Sequence, residues 1–534
     1  MIRAFAPELV RFAEKRAVDG APEDALMERA ARGVADAAGR LAGPTGTVLA
    51  LVGGGDNGGD ALMAAAMLAG QDQPVAVALL GEHPHARALA RAHNAGVDVR
   101  ALRLPLEGGA VPDWMCADLW IDGLTGTGLR GTLREPLASA VEALADAARR
   151  WGTRVVAVDV PSGVAGADGT LGGVVLPATH TVTMGALKTN LVLPPAALEA
   201  GSVEVVDLGL DMGEDAADAN LAQVWRLETQ DIARVLVVPG PRDHKYTRGV
   251  VTVAAGSATY PGAGVLAVEG ALGVGPGMVR LESEPPVSAL VLARHPGVVT
   301  MSGRSQAVVI GSGLDTSTQP RARAIAESAL AAGLPVVLDA GALALVPDLV
   351  RSRDGLSGAV LTPHAGEAAA LLGELTGERI PRAVVEARSL EVVRRLVALS
   401  GATVLLKGGV TLVGAPDGRL FSVPGGPGWT GVAGAGDVLA GVLGGLAAQG
   451  RAREELGGPR LDLPVTVACA AWIHARAATR ASGVVDEGGR ARGIGHPIQA
   501  TDIAAALSAV VEEVLEVEAR ARCEERATRW RGRE

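Results

Sequence analysis

The sequence predicts two α/β units in one chain, each a largely parallel sheet with helices on both faces. Three observations carry this. Short Val/Leu/Ile-rich runs alternate with helical patterns, the signature of βαβ units. Several runs end in loops rich in Asp, Gly, Ser and Thr, where doubly wound sheets bind ligands. And 534 residues exceed one ordinary core.

In the first half the strand-like runs are 47–52, 75–80, 118–122, 154–160 and 179–184. An acidic, turn-prone stretch, 207–220, links the halves. A second series follows at 249–255, 307–310, 335–339, 359–362 and 403–407, then helical patterns at 437–449, 464–482 and 501–514. The expected domains are 1–220 and 228–516, followed by a charged tail, 517–534, that carries no recognisable chemistry.

Apolar residues make up 48% of the chain and aromatics only 2%, so Ala, Val and Leu must build the cores. The formal net charge is −10, without a basic stripe, which argues against nucleic acid as a partner. Cys116, Cys469 and Cys523 are too sparse for a disulfide framework or a metal motif. No apolar run reads as a membrane span. A cytoplasmic homo-oligomer with small-molecule substrates is expected.

The run 47–52 leads into G-G-G-D-N-G-G-D, with a formal G-x-G-x-x-G at Gly53, Gly55 and Gly58, and then an alanine-rich helical run, 61–69. Alone, this is a dinucleotide fingerprint. Asp56 and Asp60, however, lie inside or beside the loop, where they repel a pyrophosphate unless a cation or hydrogen bonds offset them. Only Glu82, past its strand, stands near the acidic position that a dehydrogenase wants. A plain dehydrogenase fits poorly.

Three further strand ends belong with this loop: D-G-L-T-G-T-G from Asp122, D-V-P-S-G from Asp159 and, more weakly, T-M-G-A-L-K-T-N from Thr183. Glycine loops bring backbone N–H groups onto phosphate oxygens. Asn57, Asp122 and Ser162 add hard oxygen ligands suited to a monovalent or other hard cation. Asp159 is a candidate general acid/base. An aspartate at a strand end is also an ordinary cap or turn former, so the reading rests on the set.

That set resembles the epimerase domain of the NAD(P)H-hydrate repair enzymes. The family loop reads about G-x-G-N-N-G-G-D-G. D-G-L-T-G-T-G-L is similar to its D-x-x-x-G-T-G-L, V-D-V-P-S-G to its V-D-I-P-S-G, and A-L-M-E-R-A-A from Ala25 to its L-M-E-N-A-G. The resemblance implies a Rossmann-like domain that interconverts the C6 epimers of hydrated NADH and NADPH. It implies potassium on Asn57, Asp122 and Ser162. The dinucleotide would lie on Asp56, Asn57, Gly58, Gly59 and Asp60 and on Gly126, Thr127, Gly128, Leu129, Arg130, Gly131 and Thr132, with Asp159 at the substrate. Asp56 and Ala61 depart from the family's Asn and Gly.

The second half offers G-V-A-G-A-G-D-V-L-A-G from Gly431, glycines before a helix whose first turn holds Asp437. Successive N–H groups there make a hole for a developing phosphoryl charge, and Asp437 is placed to take a hydroxyl proton. G-S-A-T-Y-P-G-A-G from Gly256, G-S-G-L from Gly311, L-T-P-H-A-G-E from Leu361 and L-L-K-G-G-V-T-L-V from Leu405 lie at strand ends. A histidine such as His364 is more often a structural hydrogen-bonder than a catalyst. There is no Walker-type G-x-x-x-x-G-K-[ST].

These clusters resemble the ribokinase-like fold and, within it, the NAD(P)H-hydrate dehydratases. H-K-Y-T-R-G from His244 is similar to the family's H-K-x-x-x-G and V-L-D-A-G-A-L from Val337 to its V-L-D-A-D-A-L, with Gly341 departing. Val432 and Ala433 are further departures. The resemblance implies Ala263, Gly313, His364 and Asp437 on the hydrated dinucleotide, and Lys407, Gly408, Gly409, Val410, Thr411 and Gly436 on the adenine nucleotide. It implies ADP, with magnesium, as phosphoryl donor. The joint expectation is an epimerase fused to an ADP-dependent dehydratase of the S hydrate. The competing readings are a ribokinase-like vitamin or sugar kinase, and a first half that only binds.

Overall fold

A computed structural model describes residues 1–18, 25–213, 224–486 and 491–531. The chain forms two compact units, 3–223, and 224–534 together with Met1 and Ile2. Part of the acidic stretch 207–220 lies outside the described residues.

The first unit holds strands β1 (Val48–Val52), β2 (Val75–Leu79), β3 (Asp98–Ala101), β4 (Leu119–Gly123), β5 (Arg154–Val158), β6 (His180–Met184) and β7 (Ser202–Val206). All pair in parallel, in the order β3-β2-β1-β4-β5-β6-β7. The order reverses between β1 and β4. The five expected strands appear within two residues of their predicted bounds. They are the inner ones, largely apolar toward both helix layers, and such strands read as near-continuous apolar runs; β6, H-T-V-T-M, is the polar exception. The two edge strands escaped because their sequences, D-V-R-A and S-V-E-V-V, carry charge and stay only partly buried.

The longer helices of this unit are α1 (Pro7–Val18), α2 (Ala25–Ala42), α3 (Asp56–Ala69), α4 (Ala86–Asn94) and α5 (Leu137–Trp151). With few aromatics, alanine makes the contacts. Ala30, Ala31, Val34, Ala64 and Ala65 close one layer, while Trp120, Leu144 and Ala147 fill the other. Trp120 meets Trp151 edge-on, with ring centroids 6.0 Å apart.

The second unit holds β8 (Val224–Arg226), β9 (Val250–Ala255), β10 (Met278–Leu281), β11 (Ala307–Gly311), β12 (Val336–Leu338), β13 (Ala359–Leu361), β14 (Thr403–Leu406), β15 (Val410–Gly414) and β16 (Leu420–Pro424), in the order β8-β16-β15-β14-β13-β12-β11-β9-β10. Strands β9 to β14 pair in parallel, as expected. The sheet then turns antiparallel through the β15–β16 hairpin, which the sequence reading missed. Its first strand was read only as the tail of a binding loop.

The helix expected at 437–449 runs longer, Ala435–Glu455, and crosses the helix Pro261–Gly273. Glycines set that crossing. A Cβ on Gly270 would strike the Val438 carbonyl, and one on Gly441 the Ala267 carbonyl. The two backbones therefore touch, which fixes the start of the longer helix against the element that carries Ala263.

Candidate active sites

In the first unit the loops after β1 and β4 face each other at the point where strand order reverses, the usual ligand crevice of a doubly wound sheet. Gly53 lacks a side chain because the Leu124 carbonyl occupies that space. Helix α3 opens at Asp56, which is exposed at the positive helix end, so its charge is favoured by the backbone dipole. Asp60, one turn on, is buried.

Asp122 ends β4 wholly buried and accepts only from neutral donors. Ser162 gives it a backbone N–H at 2.8 Å and a hydroxyl at 2.6 Å, and the Leu124 N–H lies at 3.2 Å. Burial pushes its carboxyl up to about 6, against those hydrogen bonds. Ser162 Oγ in turn accepts from the Thr125 N–H at 2.9 Å. Asn57 Nδ2 donates to the Val158 carbonyl at 2.6 Å, while its other amide atoms abut Gly126, where any Cβ would collide with them. Asn57, Asp122 and Ser162 thus converge around Thr125. Among the described residues no three His, Cys, Asp or Glu side chains form a metal cluster. A cation here must use hydroxyl, amide and carbonyl oxygens around one buried carboxylate, a donor set that fits potassium.

Asp159 follows β5 in a left-handed conformation, φ 69°. Its Oδ1 accepts from Lys188 Nζ at 2.6 Å, Thr183 Oγ1 at 3.0 Å and the Met184 N–H at 3.2 Å. Lys188 is fully buried and also donates to Thr183 Oγ1 and the Met184 carbonyl, so all three of its N–H bonds are used. A cavity of about 780 Å³ is lined by Asp159, Asp56, Asn57, Asp60, Glu14 and residues 124–129. Burial drives the Glu14 carboxyl up to about 7; the Asp159 and Asp56 charges add to this, while Lys188 opposes it. Asp60 is raised well above its usual range by burial and then by Asp159, Asp56 and Glu14. Lys188 and Glu14 were not picked out from sequence. Lys188 lies in the weak cluster from Thr183, and a lone lysine among apolar residues was its one signal.

In the second unit, Ser312, Asp339, Thr362 and Lys407 sit just past the carboxyl ends of β11, β12, β13 and β14. Asp339 is their hub. It accepts from Ser312 Oγ at 3.0 Å, Thr362 Oγ1 at 2.6 Å and Lys407 Nζ at 2.8 Å. Lys407 is half-buried, and its partial desolvation lowers its affinity for a proton, but Asp339 and Glu367 outweigh this and raise it. A Cβ on Gly436 would lie 3.3 Å from Lys407 Nζ, so the lysine reaches the helix start at Ala435. Asp437, in that first turn, is pushed up to about 6 by burial and Asp339, with Ser312 and Lys407 pulling the other way. Gly434, φ 91°, is the N-cap, and no side chain caps the helix. The Ala435 N–H reaches the Val432 carbonyl at 3.3 Å, and the neighbouring Gly434, Gly436 and Asp437 N–H groups are left to a ligand.

Gly313 abuts Ala263, since a Cβ on it would sit 2.7 Å from the Ala263 Cβ. His364 caps the helix Ala365–Thr376, with Nδ1 accepting from the Gly366 and Glu367 N–H groups at 3.0 and 3.2 Å, while the side chain is 57% exposed. Nδ1 is therefore structural, and Nε2 lies 3.6 Å from Glu367. Gly408 and Gly409 lead into β15, which carries Val410 and Thr411. Sequence reasoning missed Asp339, Ser312 and His474. His474 is buried beside the Ala435 backbone; burial and then Lys407 hold it down to about 4, while that backbone contact opposes them.

Two α/β units, each gathering carboxylates, an ion-paired lysine and glycine loops at the carboxyl ends of parallel strands, define a two-centre nucleotide-handling protein. Comparison with known proteins agrees. Residues 251–486 match the NAD(P)H-hydrate dehydratase family, and residues 23–190 match the YjeF-related protein N-terminus family. The bifunctional NAD(P)H-hydrate repair enzyme Nnr of Mycobacterium tuberculosis is 40% identical over 463 residues, 84% of this chain and 89% of the relative. That of Mycobacterium leprae is 39% identical over 493 residues, 89% of this chain and 93% of the relative. A solved ADP/ATP-dependent NAD(P)H-hydrate dehydratase from Bacillus subtilis, co-crystallised with ATP and Mg2+, is 26% identical and covers 54% of this chain and 97% of that chain, at a TM-score of 0.44. The chain belongs to the bifunctional NAD(P)H-hydrate repair enzymes.

Proposed function

We propose that the first unit interconverts the R and S hydrates of NADH and NADPH and that the second dehydrates the S hydrate with ADP. What supports this most is the junction of Asp437, Lys407 and an uncapped helix start above the strand ends of the second unit. A C6 hydroxyl is a poor leaving group. Asp437 takes its proton as the oxygen attacks the terminal phosphorus of ADP, and AMP departs. The N–H groups at Gly434–Gly436 take up the phosphoryl charge, and Lys407 adds its own. Magnesium, when bound, neutralises the phosphates. Loss of phosphate from C6 and of a proton from C5 then restores the ring double bond. Ala263, Gly313 and His364 line the hydrate's side of this site, with Lys407, Gly408, Gly409, Val410, Thr411 and Gly436 on the nucleotide's side.

In the first unit Asp159 exchanges protons at the hydrated ring, and its charge is held by Lys188. Asp56, Asn57, Gly58, Gly59, Asp60 and the Gly126–Thr132 loop hold the dinucleotide. Asn57, Asp122 and Ser162 hold potassium, which supplies positive charge beside Asp122. Potassium at about a hundredfold over its Kd is expected to stabilise this unit by about 2.7 kcal/mol, several degrees in its unfolding temperature. A bulky organic cation at equal ionic strength will not do so, and Asp122→Asn removes the difference; an equal response in the variant refutes the site.

The decisive assay gives hydrated NADH and hydrated NADPH to the whole chain with ADP or ATP and follows the near-ultraviolet absorbance of the reduced ring. Recovery with ADP is expected. No recovery, with phosphorylation of a hydroxymethylpyrimidine or sugar instead, establishes the kinase reading.

A further inference from the structure

The first unit has a second cavity, of about 1110 Å³, whose walls past β2 and β3 the chemistry above does not use. It opens past β2 and β3, on the other side of the strand-order reversal from Asp159, and residues of the loop 128–137 line it. It shares Gly54, Leu124, Thr125, Gly128 and Leu129 with the cavity that holds Asp159, so the two are continuous over the β1 loop. Its floor is apolar, with Leu79, Leu80, Leu102 and Leu104. Its charged lining is Glu82, Arg103, Arg130, Arg134 and Glu135. Glu135 is engaged by Ser139, through its N–H at 3.3 Å and its hydroxyl at 2.7 Å. Glu82 and the three arginines make no ion pair among the described residues.

We propose that this cavity takes the adenylate arm of the hydrated dinucleotide and that Glu82 and Arg103 read the ribose 2′ position. The inference rests on the epimerase reading of the first unit. A dinucleotide has two arms joined by a pyrophosphate, and a doubly wound sheet binds it across the reversal of strand order. One arm goes to Asp159. The pyrophosphate crosses at Gly53–Gly54, in front of α3, and the other arm falls on the ends of β2 and β3. An apolar floor suits an adenine face. Glu82, three residues past β2, accepts from a 2′ hydroxyl and repels a 2′ phosphate. Arg103, two residues past β3, attracts that phosphate. The acid displaced from the ordinary fingerprint position thus has a neighbour of opposite charge, which lets one pocket admit both NADH and NADPH hydrates.

The test is steady-state epimerisation of three pure R epimers: NADPH hydrate, NADH hydrate and the hydrate of reduced nicotinamide mononucleotide, which lacks the adenylate arm. For the wild type, KM for the mononucleotide should be at least about tenfold above that for either dinucleotide. Arg103→Ala should raise the ratio of KM for NADPH hydrate to KM for NADH hydrate about tenfold, the effect of one charge-assisted contact, and Glu82→Gln should lower it. Both side chains are exposed, and thermal unfolding will verify that both variants fold. Equal KM for mononucleotide and dinucleotides, or a ratio unmoved by both substitutions, overturns the proposal while the epimerase stands. A wild type that epimerises none of the three removes the underlying reading with it.

Discussion

Asp437→Asn is expected to lower ADP-dependent dehydration by about 10²–10⁴-fold, the usual worth of a positioned general base, while epimerisation by the same chain continues. The asparagine keeps the volume but cannot take the hydroxyl proton. The carboxyl sits at about 6 through burial and the neighbouring Asp339 charge, so at neutral pH it is ionised yet still basic. The kcat/KM for dehydration should therefore fall as pH drops through about 6, and the variant should lose that limb. Stability moves the other way. The folded-state pKa is raised, so this group's stabilising contribution is complete below the unfolded value and is lost as pH rises through about 6. A neutral side chain removes the penalty, and the variant should unfold at or above the wild-type temperature at pH 7. Lost activity in an unweakened fold is the combination to look for; near-normal turnover would refute the kinase-like mechanism.

How far the sequence revealed this site depended on what each residue bonds. The inner strands were readable because they are largely apolar on both faces, and the glycine loops because they stand at strand ends. Asp122 and Ser162 were found as a pair because each carries a short motif. Asp339 lay inside a quoted motif, yet its importance comes from Ser312, Thr362 and Lys407, which arrive from three other strands. No local pattern encodes that meeting. His364 was expected at a helix start, and there the capping bonds of Nδ1 became visible only with the helix beside them. The hairpin β15–β16 escaped because V-T-L-V after two glycines reads as a loop that binds. Asp56, the residue hardest to reconcile with a phosphate loop, is explained by placement: it is exposed at the first turn of α3, while Asp122 is the carboxylate buried among neutral donors.

Lys188→Met is expected to destabilise the first unit by about 3–5 kcal/mol, because it leaves Asp159 charged, buried and without its counter-ion. The neighbouring acids make this worse. Glu14 and Asp60 already feel the Asp159 charge, and Lys188 opposes the rise at Glu14 more strongly than Arg11 does. Asp159→Ala strands the lysine instead and should cost a similar amount, while the pair of substitutions should cost much less than their sum. Thermal or urea unfolding of all four proteins measures that coupling. Asp159→Asn separates catalysis from folding, since its amide oxygen can still accept from Lys188 and Thr183. It should lower epimerisation by about 10²–10⁴-fold while dehydration of the pure S hydrate proceeds. Epimerisation at the wild-type rate in Asp159→Asn would remove the residue from the reaction. The backbone supports a functional reading. Asp159 is held at positive φ, a conformation that costs a residue with a side chain up to about 1–3 kcal/mol and persists where surrounding structure enforces it. Here the Val182 carbonyl takes its N–H at 2.7 Å, and Thr183, Met184 and Lys188 hold its side chain. A left-handed aspartate and a buried lysine are two separate costs to the fold, and both serve to fix one carboxylate at the edge of the cavity.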